Sequence, residues 1–255
     1  MNNVDPIGQR NHQATVEVPE GRAGERRLLM LGASLWLSGL ILGTVAGVFH
    51  ASPPGGDANN LAATFPGIAA SGVWGTVHFG QSAGAWIVLA GLLVLYRALE
   101  TPARRSVLGM LGVAATIAAG SAVAVWLAVD GIGLKHAVDA WASAPALEKA
   151  SAFQDAKIVR FLEWSTASYS SLLEGVTFIL LGLVIVRSTA LPGWLGWLIC
   201  VAGLGDIVTG IVIGNEGFSP TLTAVSLPST ILAPVVAIGI LVIVWRRRHE
   251  DVTPR

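Results

Sequence analysis

The chain has 255 residues, 53% of them hydrophobic and only 13% charged, with a mean hydropathy of +0.65. A soluble domain carries about 25% charge, so this surface is too apolar for water, and a formal net charge of zero argues against nucleic acid as a partner. Cys200 is the single cysteine, which excludes an internal disulfide, a CxxC redox pair and a cysteine-built zinc or iron–sulfur cage.

The length accommodates six spans of about 20 residues joined by short connections. Residues 1–27 are polar, contain Pro6, Asn11, Pro19 and Gly21, and read as a disordered tail. Arg26 and Arg27 stand directly before an apolar run, as a positive-inside anchor does. The first span covers 28 to about 49. Its Gly39, Gly43 and Gly47 recur every fourth residue and form a small-residue face suited to another helix, which makes it a docking surface for a homo- or hetero-oligomer. The loop 51–73 is broken by Pro53, Pro54, Gly55 and Gly56. Within it, 57–65 fits a short interfacial helix with Asp57 as N-cap.

The second span, about 74–96, is closed by Arg97 and bounded by the interfacial aromatics Trp74 and Tyr96. Pro102, Arg104 and Arg105 make a basic connection. The third span, about 107–129, continues as helix through DGIGLKHAVDAW, where Lys135 and Asp139 are spaced to pair along one face. Residues 146–155 read as a polar connection. The fourth span lies in 158–187, the fifth in about 194–213. The sixth, 224–245, carries Pro228 and Pro234, which kink a membrane helix and free backbone carbonyls. Arg246 to Arg248 and a cytoplasmic tail at 249–255 follow.

The fold class is therefore all-α: a polytopic integral membrane bundle of six helices over 28–248. Arginines gather on one side of the alternating spans: Arg22, Arg26 and Arg27, then Arg97, Arg104 and Arg105, then Arg187, then Arg246 to Arg248. The opposite connections dilute Lys135, Lys149, Lys157 and Arg160 with acids. The bias predicts both termini in the cytoplasm.

The fourth span carries the polar chemistry. On a helix, Glu163, Thr166, Ser170, Glu174 and Thr177 fall within one narrow sector. A polar stripe on a membrane helix faces protein or water, not lipid. Counted from the arginine-rich side, Glu174 and Asp206 each lie about 20 Å along their helices, inside a hydrocarbon core of about 30 Å. No lysine or arginine shares that depth. Such acids persist by protonation, by meeting water or by hydrogen bonding, which points to proton or small-ligand binding and equally to neutral packing.

A second group, His50, His78 and His136 with Asp130, Asp139 and Glu163, lies at the opposite rim. Histidines with carboxylates bind zinc or copper, and two on facing helices suit a haem. No metal or nucleophile motif organises them, the Gly131/Gly133 and Gly203/Gly205 pairs lack a nucleotide-site context, and no cofactor is implied.

Three stretches carry a likeness to a known family: the opening span with its loop containing Asp57 and Asn60, a second span ending in LLVLYRAL, and RSTALPGWLGWLICVAGLGDIV before a proline-containing last span that ends in Trp-Arg. On these the chain resembles, over about residues 28–248, a widespread group of bacterial six-helix membrane proteins catalogued only as a domain of unknown function. The Ser-x-x-Leu-Pro-x-Trp-Leu-Gly turn is the most specific motif. The resemblance implies the architecture and a bacterial cytoplasmic membrane, and no activity. The residues themselves favour binding or translocation of a small ligand or proton through an outward polar pocket. A redox or metal protein and a non-catalytic scaffold or sensor are the alternatives.

Overall fold

The structure, a computed structural model, describes residues 19–50, 57–100 and 106–250, with backbone alone for 19–22 and 249–250. The turn at Pro53 to Gly56, Pro102, the Arg104-Arg105 pair and residues 1–18 and 251–255 lie outside the described residues. Every described helix or strand is helical: α1 Pro19–Val48, α2 Leu61–Ala70, α3 Trp74–Leu99, α4 Val107–Ala128, a π-helical turn Val129–Leu134, α5 Lys135–Ser143, α6 Lys149–Arg187, α7 Gly193–Glu216 and α8 Thr221–Glu250. Six of these segments are long and apolar enough to cross a membrane, and α2 is a shorter apolar helix.

Several boundaries differ from the hydropathy reading. The helix of the first span starts at Pro19, ahead of the apolar run; proline suits a first helical position because its missing N–H has no intrahelical partner there. So 19–27 is helix, not tail. Residues from Lys149 onward extend α6 to 39 residues, where a connection was expected. The cap of α2 is Asn60, whose side chain accepts from the Ala63 N–H at 3.2 Å. Asp57 instead accepts from the Asn59 N–H. The last helix runs unbroken through Pro228 and Pro234, and reaches Glu250.

Spatial neighbours follow chain order. α1 packs on α3, α3 on α4, α4 on α6, α6 on α7 and α7 on α8, and α8 returns to α1. Short connections make successive helices antiparallel, so the six close into a ring. Two seams are built on glycine. In α1/α3 a Cβ on Gly39 would stand 2.5 Å from the Gly84 carbonyl oxygen, and Gly32 meets Gly91 in the same way. In α6/α7 Gly175 meets Gly203 and Gly182 meets Gly196, and the Ser168 hydroxyl donates to the Gly210 carbonyl at 2.7 Å. Only residues without a side chain let two backbones approach this closely, and the contact area gained is what holds helices together in lipid. The Gly39 part of the first-span stripe is thus consumed by α3 of the same chain rather than offered to a partner. Gly47 lies near Gln81 of α3, and Gly43, whose backbone meets Gly84, also borders a cavity between the helices.

The bundle differs at its two ends. The end that carries the chain termini is filled by apolar side chains from five helices, among them Trp36, Leu95, Leu181, Ile185, Leu195 and Ile240, each fully buried. The far end is capped by a smaller cluster of Leu61, Phe65 and Ile68 from α2 against Trp74, Leu134, Val138 and Ala156. Leu31, Ile41, Met110, Ile117, Val201 and Ile238 stay exposed on the outer faces, as residues that meet acyl chains do.

Candidate functional site: two stacked polar cavities

Between the plug and the cap lie two cavities. The inner one, about 360 Å³, is bordered by all six long helices and holds Glu174 of α6, Asp206 of α7, and Ser229 and Thr230 of α8. Each acid sits one helical turn past a plug residue: Glu174 before Phe178, Asp206 after Ala202. Both acids line the same cavity. The outer cavity, about 430 Å³, is bordered by Gly47, His50, Thr64, Trp74, Asp130, Arg160, Glu163 and Phe218 among others. Gln81 and Trp126 border both. Along α1, α3 and α6 the lining residues pass from inner to outer without interleaving, so the chambers are stacked along the bundle axis and meet at Gln81 and Trp126. The Trp126 indole N–H is buried there with no acceptor.

Local sequence explains the outer chamber. The π-helical turn at VDGIGL presents Asp130 toward α3; such turns insert an extra residue and re-aim side chains, often at functional sites. Gly131 is where α3 comes closest: a Cβ there would stand 2.5 Å from the Cβ of His78. That approach sets His78 Nε2 2.9 Å from Asp130 Oδ2, while the Trp74 indole donates to the Asp130 carbonyl at 3.0 Å. His78 Nδ1 faces the Trp74 carbonyl oxygen at 2.8 Å. The His50 ring packs on Trp74 and His78 with centroid separations of 4.5 and 5.2 Å.

Across the chamber, Arg160 Nη1 donates to Glu163 Oε2 at 2.6 Å, with both side chains buried. The guanidinium also lies over the Phe218 ring at 4.9 Å. Oδ1 of Asp130 and Oε1 of Glu163 have no hydrogen-bond partner despite being buried. A buried carboxylate oxygen without a donor is costly unless a cation or water meets it.

The expected residues divide accordingly. Glu174 and Asp206 share one cavity. Glu163 belongs to the other chamber, so the fourth-span stripe does not line a single pocket. Ser170 donates to the Ala167 carbonyl of its own helix and borders neither chamber, and Thr177 donates to the Leu173 carbonyl. Thr166 donates back to Leu162 and Glu163 carbonyls and borders a separate groove with Ser121, Val125 and Tyr169. His50 and His78 come together, whereas His136 is exposed on α5 and takes no part; Asp130 stands in the place expected for it. Lys135 and Asp139 do pair, at 2.5 Å. Sequence reasoning missed Arg160, Gln81 and Trp126. Arg160 had a signal, an acid three residues on at helical spacing; the other two had none.

No family model, curated protein or solved structure matches the chain.

Proposed function

We propose that this membrane bundle binds small cations, the proton first among them, and conducts them between its far end and the Glu174–Asp206 pair. The observation that carries the reading is the shared border at Gln81 and Trp126, which joins a polar outer chamber to a pair of deep acids. Asp130, Glu163, Glu174 and Asp206 border the two chambers, against Arg160 as the only lysine or arginine there among the described residues. Four carboxylates beside one guanidinium at this depth are costly to keep all ionised; they hold protons or attract cations.

The reading places both termini in the cytoplasm. Arg97, Arg187 and Arg246 to Arg248 lie at the plugged end, and an arginine excess marks the cytoplasmic side. The chambers would then open outward and be sealed inward, as in one state of an alternating device or in a binding protein. A scaffold without ligand fits less well, because it has no use for a cavity of this size around two acids.

The test is reconstitution in proteoliposomes under an imposed pH gradient. Proton uptake should fall to the protein-free background in Glu174→Gln with Asp206→Asn, and partly in each single variant. Equal uptake by the wild-type protein and the double variant would sink the reading.

A further inference from the structure

We propose that His50, His78 and Asp130 form a binding site for one divalent transition-metal ion, zinc by its ligand set, at the outer chamber. One ligand atom from each lies within 4.8 Å of the others. This is independent of cation movement through the inner chamber, and it uses none of the inner residues.

The clustering of the three donors and the unpartnered oxygen of Asp130 carry the argument. A carbonyl oxygen can only accept, so the contact of His78 Nδ1 with the Trp74 carbonyl puts the ring hydrogen on Nδ1. The other nitrogen, Nε2, faces Asp130 Oδ2 at 2.9 Å, where either a second ring proton or a metal ion joins the two. A metal ion bound here would displace that ring proton and take both groups as ligands, together with His50. The same pattern, an imidazole that donates one N–H to a backbone carbonyl and turns the other nitrogen inward, is how proteins orient a metal-binding histidine. The second oxygen, Oδ1 of Asp130, borders the chamber without any partner, although the residue is only 5% exposed. With His78 neutral, as a metal ligand must be, Asp130 and Glu163 outweigh Arg160 by one formal negative charge, which a metal cation would offset.

Two imidazoles and a carboxylate are a borderline donor set, which zinc accepts at about 2.0–2.2 Å per bond in a tetrahedron. Those bond lengths require donors a little over 3 Å apart, so Nε2 and Oδ2 need separate only slightly, and His50 closes inward from its partly buried position. Three protein donors leave the fourth position facing the chamber, where water or a small anion would sit. Gly131 is what permits the site, since any side chain there would push α3 and His78 away from Asp130.

The experiment uses the full-length protein purified in detergent, stripped with a chelator, then titrated with zinc and measured for metal content after dialysis. One zinc per chain is expected. His50→Ala and Asp130→Asn should each abolish stoichiometric retention, and His50→Ala disturbs the fold least because its ring is at the edge of the packed cluster. His136→Ala and the Glu174→Gln, Asp206→Asn double variant should retain the metal in full. Cobalt in place of zinc gives an absorption signature that should vanish in His50→Ala. No retained zinc in the wild type, or zinc retained equally by folded His50→Ala and Asp130→Asn, would overturn the site. Because this readout needs no membrane gradient, its failure leaves the proton-uptake result standing, and the reverse also holds.

Discussion

The two ends of this bundle solve opposite problems with the same six helices. At the end of the termini, five helices bring mainly apolar side chains together, and Leu181, Ile185, Leu195, Ile199 and Ile240 are entirely buried. At the far end the exit of α1, the helices α3 and α6 and the π-helical turn after α4 place His50, His78, Asp130, Arg160 and Glu163 around a space. In lipid there is no hydrophobic drive between helices, so the plug holds by close packing, and the far end holds by specific polar contacts. The difference teaches where function can live. A packed apolar plug offers no ligand anything to bind, while partly satisfied polar groups next to a cavity are a standing demand for one.

The comparison breaks most readily at the ion pair. Arg160→Ala would leave Glu163 buried without its cation, and removal of one member of such a pair costs about 3–5 kcal/mol. Thermal unfolding in detergent should show this loss, and adding Glu163→Gln to Arg160→Ala should restore much of it. At the plug, Leu195→Ala should cost about 2–5 kcal/mol, because the removed methyls leave a void among tightly packed neighbours. The two variants differ in what they do to the chambers. Arg160→Ala should change cation binding as well as stability, whereas Leu195→Ala should lower stability with binding unaltered below the melting temperature.

A third substitution sharpens the role of glycine. Gly175→Ala sets a methyl 2.5 Å from the Gly203 carbonyl oxygen, and overpacking of this kind costs about 1–3 kcal/mol. Gly43→Ala, by contrast, meets nothing within 4 Å. It should leave stability unchanged and only trim the inner cavity it borders. Parallel melting curves of the two variants would separate a seam glycine from a cavity glycine on the same criterion.

The sequence spoke clearly about whatever depends on one helix at a time. Hydropathy located the six spans, the start of α3 at Trp74, and the helical continuation of α4 through Trp141. The spacing of Lys135 and Asp139 foretold their pair. Glu174 and Asp206 were matched by counting rise along two neighbouring helices, and depth is shared when spans are anchored by the same interface. What could not be read depends on which faces meet. His78 and Asp130 are 52 residues apart, and nothing in either segment says that Gly131 lets their helices touch. The Gly39 stripe was visible, but a small-residue face does not name its partner, which turned out to be α3. Ser170 and Thr166 shared a sector with the acids, yet hydroxyls can satisfy themselves on their own helix, and here they do. His136 looked equivalent to His50 and His78 because a π-helical turn, which rotates everything after it, leaves no mark in composition.

The smallest expected effect concerns how the far end is closed. The short helix α2 lies over the outer chamber through Thr64, and two hydrogen bonds tie down its flanks. Asn59 Nδ2 donates to the Glu216 carbonyl at 2.7 Å, and Lys135 Nζ donates to the Ala69 carbonyl at 3.2 Å. Both are near water, so each contributes only about 0.5–1.5 kcal/mol. Asn59→Ala should therefore leave the melting temperature almost unmoved, because Phe65 and Ile68 still pack on α5 and α6. Hydrogen exchange should respond where the melt does not. Amides of Leu61–Ala70 should exchange faster, while those of the plug helices keep their protection, since local opening draws on local contacts alone. A uniform rise across the whole bundle would mean that the cap and the plug open as one unit, and the distinction between the two ends would then be one of chemistry but not of stability.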